Sequence, residues 1–158
     1  MAPEAIDEPI RAAKEHQAAG RLEEAAQIYG HILAHHKNHP EALHGMGKLA
    51  AQAGRSRDAA ELIRRAVQQN PNLAEAHHDL GNILSNLGEL EQAIAAYREA
   101  IRLRPDDADA HNNLGLSLIQ TKQFDDAVVS LRHAIQIQPT HSSAYNNLAS
   151  ARCSAKCR

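Results

Sequence analysis

The chain of 158 residues has few of the residues that build aromatic cores, disulfide networks or membrane spans. It contains no Trp, one Phe and three Tyr, and its two cysteines, Cys153 and Cys157, stand at the extreme C-terminus. A disulfide scaffold is therefore excluded. No apolar run approaches the ~18 residues of a membrane span, and the acidic start lacks the apolar segment of a signal peptide. These absences predict a soluble, cytoplasmic protein.

The charge balance gives no sign of a nucleic-acid or membrane partner. Lys and Arg number 17 and Asp and Glu number 19, so the formal net charge is −2. No basic tail or cluster is present that could neutralise phosphates. We therefore expect no nucleic acid and no membrane among the partners.

Alanine is the most frequent residue in the chain. It is the best helix former, but it leaves little side chain to fill a core, so the helices must approach one another closely. Sustained alternation of apolar and polar residues, which would indicate strands, is missing. The composition predicts an all-α fold.

A period of about 34 residues runs through the chain in columns of small residues, apolar residues and proline. The columns are Pro71, Pro105 and Pro139; Ala59, Ala93 and Ala127; Ala66, Ala100 and Ala134; Gly47, Gly81 and Gly115; and Met46, Leu80 and Leu114. Glycine and alanine fit where two helices approach closely, and proline cannot continue a helix. The period therefore predicts helix pairs that each end before a proline.

These columns resemble the tetratricopeptide repeat, a helix–turn–helix unit with the same period. The resemblance implies a right-handed α-solenoid of antiparallel helix pairs. We expect one array over residues 1–158, with a divergent unit at 6–39, full units at 40–73, 74–107 and 108–141, and a single C-terminal helix at 142–155. The predicted helices are 7–19, 22–36, 41–53, 56–69, 75–87, 90–103, 109–121, 125–137 and 142–155. Atypical end units are typical of complete arrays, and a truncated longer array would have the same pattern.

Polar residues of each first helix gather on the side opposite its apolar stripe. The resemblance implies that this face lines a concave groove that holds an extended peptide or a partner's helix. The predicted ligand-binding residues are His44, Lys48, Gln52, His78, Asp79, Asn82, Asn86, Asn112, Asn113, Gln120, Asn146 and Asn147. For the asparagine column at 113 and 147, hydrogen bonding between neighbouring helices explains the residue type equally well. Because Lys48 is the only cation on this face, we expect a neutral or mildly basic peptide rather than a terminal carboxylate.

No pattern indicates catalysis, and we expect neither an enzyme nor a cofactor. His31 and His35 have the i, i+4 spacing that lets two imidazoles share an ion, but no acidic or Cys ligand stands at a fixed offset, so we expect no metal site. Cys153 and Cys157 have a helical spacing that differs from the redox Cys-x-x-Cys motif. His77 and His111 occupy a packing column, so the fold should loosen in mild acid.

Two alternatives stay open. Residues 97–106 and 111–115 look like the repeat arrays of bacterial O-linked N-acetylglucosamine transferases, which implies a substrate-recruiting segment that is not catalytic by itself. The other alternative is self-association through the unfinished C-terminal repeat.

Overall fold

The computed structural model describes residues 4–156, and all regular structure within that range is helical. The nine helices found there are α1 (Glu4–Ala18), α2 (Leu22–His35), α3 (Pro40–Gln52), α4 (Ser56–Gln69), α5 (Ala74–Asn86), α6 (Leu90–Leu103), α7 (Ala108–Gln120), α8 (Phe124–Ile137) and α9 (Ser142–Lys156). The all-α prediction is confirmed. The predicted helix ends lie within one residue of those observed, except that α1 begins three residues earlier. Among the described helices, none combines the length and the apolar character needed to cross a membrane.

The chain forms two compact units, Met1–Asn72 and Leu73–Arg158. In the first unit, α1 packs on α2, α3 packs on α4, and α2 also contacts α3. In the second unit, α5 packs on α6, α7 packs on α8, and α9 packs on α8. The first helices of successive repeats also meet in this unit, since α7 contacts both α5 and α9, which brings their polar faces together.

Each turn inside a helix pair contains one residue in the left-handed region. Gly20, Gly54 and Gly88 have φ of 75°, 76° and 79°, and Lys122 at the fourth equivalent position has φ of 61°. In the third pair the turn is closed by hydrogen bonds from Gly88 N to Ser85 O at 3.0 Å and from Glu89 N to Leu84 O at 2.9 Å. This left-handed cap satisfies the last carbonyls of the first helix and lets the chain reverse.

The glycine column of the repeat marks the closest approach of paired helices. A Cβ on Gly81 would lie 2.5 Å from Cε1 of Tyr97, and a Cβ on Gly115 would lie 2.5 Å from Cγ of Leu131. The alanine column completes this contact, because Ala93 and Ala127 are fully buried. The interpretation of these small residues as close-packing positions is confirmed.

The second helix of each repeat ends where the prolines predict. The helix-ending residues Asn70, Arg104 and Gln138 have extended φ values of −135°, −136° and −128°, and each precedes a proline. Asp107 then begins the next repeat, because its side chain accepts a hydrogen bond from Ala110 N at 2.9 Å and caps α7.

Candidate peptide-binding face

The predicted ligand-binding residues of the second unit lie on α5, α7 and α9. They are His78, Asp79, Asn82 and Asn86 on α5, Asn112, Asn113 and Gln120 on α7, and Asn146 and Asn147 on α9. We call this set the polar face. Its members differ in burial, because Asn112 has only 7% of its surface exposed, whereas Asn86, Gln120 and Asn146 are exposed.

Four asparagines of the polar face form a hydrogen-bonded ladder across the three helices. Asn113 Nδ2 donates to Asn82 Oδ1 at 3.0 Å, and Asn113 Oδ1 accepts from Asn112 Nδ2 at 3.2 Å. Asn147 Nδ2 donates to Asn112 Oδ1 at 3.0 Å, which extends the ladder to α9. The asparagine ladder of residues 82, 112, 113 and 147 therefore ties successive first helices together, as the structural alternative for this column predicts.

Tyr97 on α6 also bonds to the asparagine ladder. Its hydroxyl donates to Asn82 Oδ1 at 2.8 Å, and the residue is only 2% exposed. Burial raises the pKa of the Tyr97 phenol, so the hydroxyl stays protonated and keeps donating. This role is not predicted from the sequence. The available signal is a tyrosine one helix after an asparagine, in a column that holds Tyr29, Ile63 and Leu131 in the other repeats.

His78 joins the ladder to the start of α7. Its Nε2 lies 3.3 Å from Asn113 Nδ2 and accepts from it, so Nδ1 carries the proton and faces Asp107 Oδ2 at 3.4 Å. Asp107 thus contacts His78 with one oxygen and caps α7 with the other. These two contacts fix the ring between two helices. Asp107 is a further member of the site that is not predicted from the sequence.

A wide cleft of about 580 Å³ opens beside His78 in the second unit. Its lining residues are His78, Arg104, Asp106, Asp107, Ala108, Asp109, Ile137 and Gln138. Three carboxylates and one guanidinium give the cleft an acidic excess. Asp109 also contacts His141 Nε2 at 3.1 Å, which holds the rim of the cleft to the start of α9. The cleft therefore favours a cationic group over an anionic one.

Several amides of the polar face can still form hydrogen bonds to a ligand. Asn86, Gln120 and Asn146 are exposed. In Asn82 the oxygen accepts twice, but Nδ2 makes no bond to any described residue and is not buried. By contrast, Asn113 uses both Nδ2 hydrogens and its oxygen within the ladder. The amides accessible to a ligand are therefore the exposed side chains of Asn86, Gln120 and Asn146, together with the Asn82 nitrogen.

In the first unit, three predicted residues lie on α3. His44 is buried with 9% exposed, Lys48 is partly buried, and Gln52 is exposed at the helix end. The neighbouring Gly45 lies directly against the ring of Tyr29, so α3 approaches α2 closely here. Gln52 is the most accessible of the three.

The remaining candidates lie outside the polar face. His111 is buried with 9% exposed and donates from Nε2 to the Pro105 carbonyl at 3.1 Å, in agreement with its predicted packing role. Cys153 is an exposed free thiol on α9, whereas Cys157 lies outside the described residues. His31 and His35 lie together on α2 with ring centroids 4.8 Å apart.

Comparison with known families gives three matches that together run from residue 16 to residue 141. Two family models described as tetratricopeptide repeat match residues 16–82 and 108–141, and one described as TPR repeat matches residues 81–122. Among curated proteins, the sequence comparison gives no significant match.

Solved structures with the same helical repeat are numerous. The crystal structure of MamA protein is 27% identical, with a TM-score of 0.85 over 97% of this chain and 84% of that chain. YrrB, described as a TPR protein with an unusual peptide-binding site, is 25% identical, with a TM-score of 0.74 over 85% of this chain and 70% of that chain. An O-GlcNAc transferase from Thermobaculum terrenum is 28% identical, with a TM-score of 0.76 over 86% of this chain but 27% of that chain.

Proposed function

The chain belongs to the tetratricopeptide repeat family, and from this premise we propose that it is a protein-interaction scaffold without catalytic activity of its own. Its ligand is an extended peptide or a partner's helix. The peptide lies along the first helices of the repeats and is held by their polar side chains. The peptide-binding site described for the similar YrrB structure supports this class of ligand.

The observation that carries the proposal is that two groups of amides on the polar face have different roles. The asparagine ladder holds α5, α7 and α9 in register, while Asn86, Gln120, Asn146 and the Asn82 nitrogen keep unused hydrogen-bonding groups. Amides both donate and accept, so they can follow a peptide backbone without selecting its side chains. Because the helices are already fixed, little ordering opposes binding.

The acidic cleft beside His78 refines the ligand class. Asp106, Asp107 and Asp109 outnumber Arg104 as charged lining groups. A lysine or arginine side chain of the peptide fits this charge, whereas a terminal carboxylate is repelled. The ligand we propose is therefore neutral to basic.

Selection from a displayed library of random peptides tests the proposal, with fluorescence polarisation on the labelled peptides that are selected. The double variant Asn86→Ala/Gln120→Ala removes two exposed amides of the polar face, and the matched control Gln69→Ala/Gln136→Ala removes two exposed amides from second helices. We expect the face variant to bind at least about fivefold more weakly, equivalent to one lost hydrogen bond of about 1 kcal/mol. The control should bind like wild type. Equal binding by both variants, or selection of peptides with acidic C-termini, would contradict the proposal.

A second candidate function is favoured by the match to the Thermobaculum terrenum enzyme, which the chain aligns with over 27% of that enzyme's length. In this proposal the chain is the substrate-recruiting repeat segment of an O-linked N-acetylglucosamine transferase-like enzyme. The described helices carry no candidate sugar-nucleotide domain. Calorimetry should therefore show peptide binding and no binding of a nucleotide sugar by this chain. Tight nucleotide-sugar binding would contradict both proposals, since each makes the chain non-catalytic.

A further inference from the structure

A pair of histidines on α2 places two imidazole rings next to each other. His31 and His35 are both exposed, lie one helix turn apart, and have ring centroids 4.8 Å apart with an angle of 65° between the rings. The acidic residues in the first turn of α2 lie at the opposite end of the helix from His35. The pair stands outside the polar face and has no part in the function proposed above.

The two rings line a cavity of about 310 Å³ between α1 and α2. Its apolar wall is formed by Ile6, Pro9, Ile28 and Ile32, and its polar rim by Gln27, His31, His35 and His36. These described lining residues include no carboxylate. The cavity leaves space beside the two imidazoles for an ion and its water ligands.

The ring separation agrees with two imidazoles on one ion. A histidine nitrogen binds Zn²⁺ at about 2.0–2.1 Å, which places the ring centre about 3.2 Å from the metal. Two rings at a tetrahedral angle around one ion then have centres about 5 Å apart. The observed 4.8 Å is close to this distance, so the spacing of the two rings is compatible with a shared ion.

We propose that His31 and His35 bind one divalent first-row transition-metal ion, with water completing the coordination. Imidazole without carboxylate selects Zn²⁺, Ni²⁺ or Cu²⁺ over Mg²⁺ and Ca²⁺. The sequence alone predicts no metal here, because no third ligand stands at a fixed offset. The structure adds the cavity and the mutual placement of the rings, which spacing alone does not give.

The repeat itself supplies a matched control. Three repeats further along, the positions of His31 and His35 are held by His133 and Ile137 on α8. His133 stacks on His111 with centroids 5.4 Å apart and an angle of 27°, instead of facing an i+4 partner. The variant His35→Ile therefore gives α2 the side-chain pattern that α8 already has.

Calorimetric titration of the metal-free full chain with ZnCl₂, NiCl₂ and CuCl₂ tests the proposal. We expect Cu²⁺ to bind most tightly, and His35→Ile and His31→Gln each to weaken the binding at least about tenfold, since a chelating ligand is lost. His133→Gln should leave the affinity unchanged. Equal affinity in wild type and His35→Ile, or equal losses in His133→Gln and His31→Gln, would overturn the proposal.

A second readout separates binding at this pair from binding elsewhere. Zn²⁺ should raise the melting temperature of the wild-type protein, and EDTA should reverse the rise, because chelation across one turn stabilises α2. His35→Gln keeps a polar exposed side chain and should fold normally but lose the rise. A rise of the same size in His35→Gln would place the ion at another site and refute the assignment.

Discussion

Substitution of Gly81 by alanine should destabilise the second unit, even though alanine is the better helix former. A Cβ at residue 81 would lie 2.5, 2.6 and 2.9 Å from Cε1, Cδ1 and Cζ of Tyr97. Ordinary carbon contacts are about 3.5–4.0 Å, so the ring must move by about 1 Å. Tyr97 is only 2% exposed and its hydroxyl is bonded to Asn82, so that movement disturbs both the core and the ladder.

The net effect follows from three contributions. Overpacking of a filled core costs about 1–3 kcal/mol, and loss of the hydrogen bond from Tyr97 to Asn82 costs about 1 kcal/mol. Replacement of glycine by alanine within a helix stabilises the folded state by about 1 kcal/mol. We therefore expect Gly81→Ala to lower the free energy of unfolding by about 1–3 kcal/mol.

Gly30 offers a matched control. It also lies inside a helix, α2, but a Cβ there would meet nothing within 4 Å. Only the propensity contribution applies, so Gly30→Ala should raise the free energy of unfolding by about 1 kcal/mol. The two glycine-to-alanine variants should therefore differ in sign and by about 2–4 kcal/mol.

Urea denaturation followed by far-UV circular dichroism measures both variants against wild type. A double variant Gly81→Ala/Tyr97→Leu should recover part of the loss, because a smaller side chain makes room for the Cβ. Equal shifts of the same sign for Gly81→Ala and Gly30→Ala would refute the close-packing argument for the glycine column.

Three further predictions concern other parts of the chain. Asn113→Ala removes three ladder contacts and should cost about 2–3 kcal/mol in chemical denaturation, whereas exposed Asn86→Ala should change stability by less than about 0.5 kcal/mol; equal effects would contradict the ladder's structural role. Lys122→Gly relieves a φ of 61° and should stabilise the fold by about 0.5–1 kcal/mol, with Lys122→Ala as the control that gains nothing. Burial, together with His133, lowers the pKa of His111 from 6.5, so below about pH 6.5 the unfolded chain binds a proton that the folded chain does not. The denaturant concentration at the unfolding midpoint should therefore be lower at about pH 5 than at about pH 7, and the difference should be smaller in His111→Leu. A midpoint that does not change with pH would count against this account.

The fold could be predicted almost completely because the sequence signal of each structural element recurs in several repeats. Pro71, Pro105 and Pro139 fix the ends of second helices, and the column of Gly81 and Gly115 fixes where paired helices touch. Any single residue of this kind is a weak signal, since glycine and proline occur in many contexts. Their common period is strong, because only one supersecondary unit satisfies all columns together.

The candidate site could be predicted only in outline. The wheel of each first helix indicates which side chains share a face, but it does not show which of them bond to one another. Asn112 and Asn86 lie on the same face by the wheel, yet Asn112 is buried and bonded to Asn113 and Asn147 while Asn86 is exposed. The roles of Tyr97 and Asp107 could not be predicted, because their contacts to the face come from a second helix and from a cap. These contacts depend on the packing distance between helices, which periodicity does not encode.

Asn82 connects the stability of the ladder to the binding proposed for it. Its oxygen accepts from both Tyr97 and Asn113, and this leaves its nitrogen as a donor that is not buried and has no partner among the described residues. Rotation of this amide would set its nitrogen against the Asn113 donor and break the bond that Tyr97 donates, so the present contacts oppose rotation and hold the remaining donor in place. A ligand that accepts from Asn82 therefore meets a group already oriented by the core, and loses little entropy in fixing it. For the same reason, Asn82→Ala would change stability and affinity together, and variants of the exposed amides Asn86 and Gln120 are the ones that isolate binding.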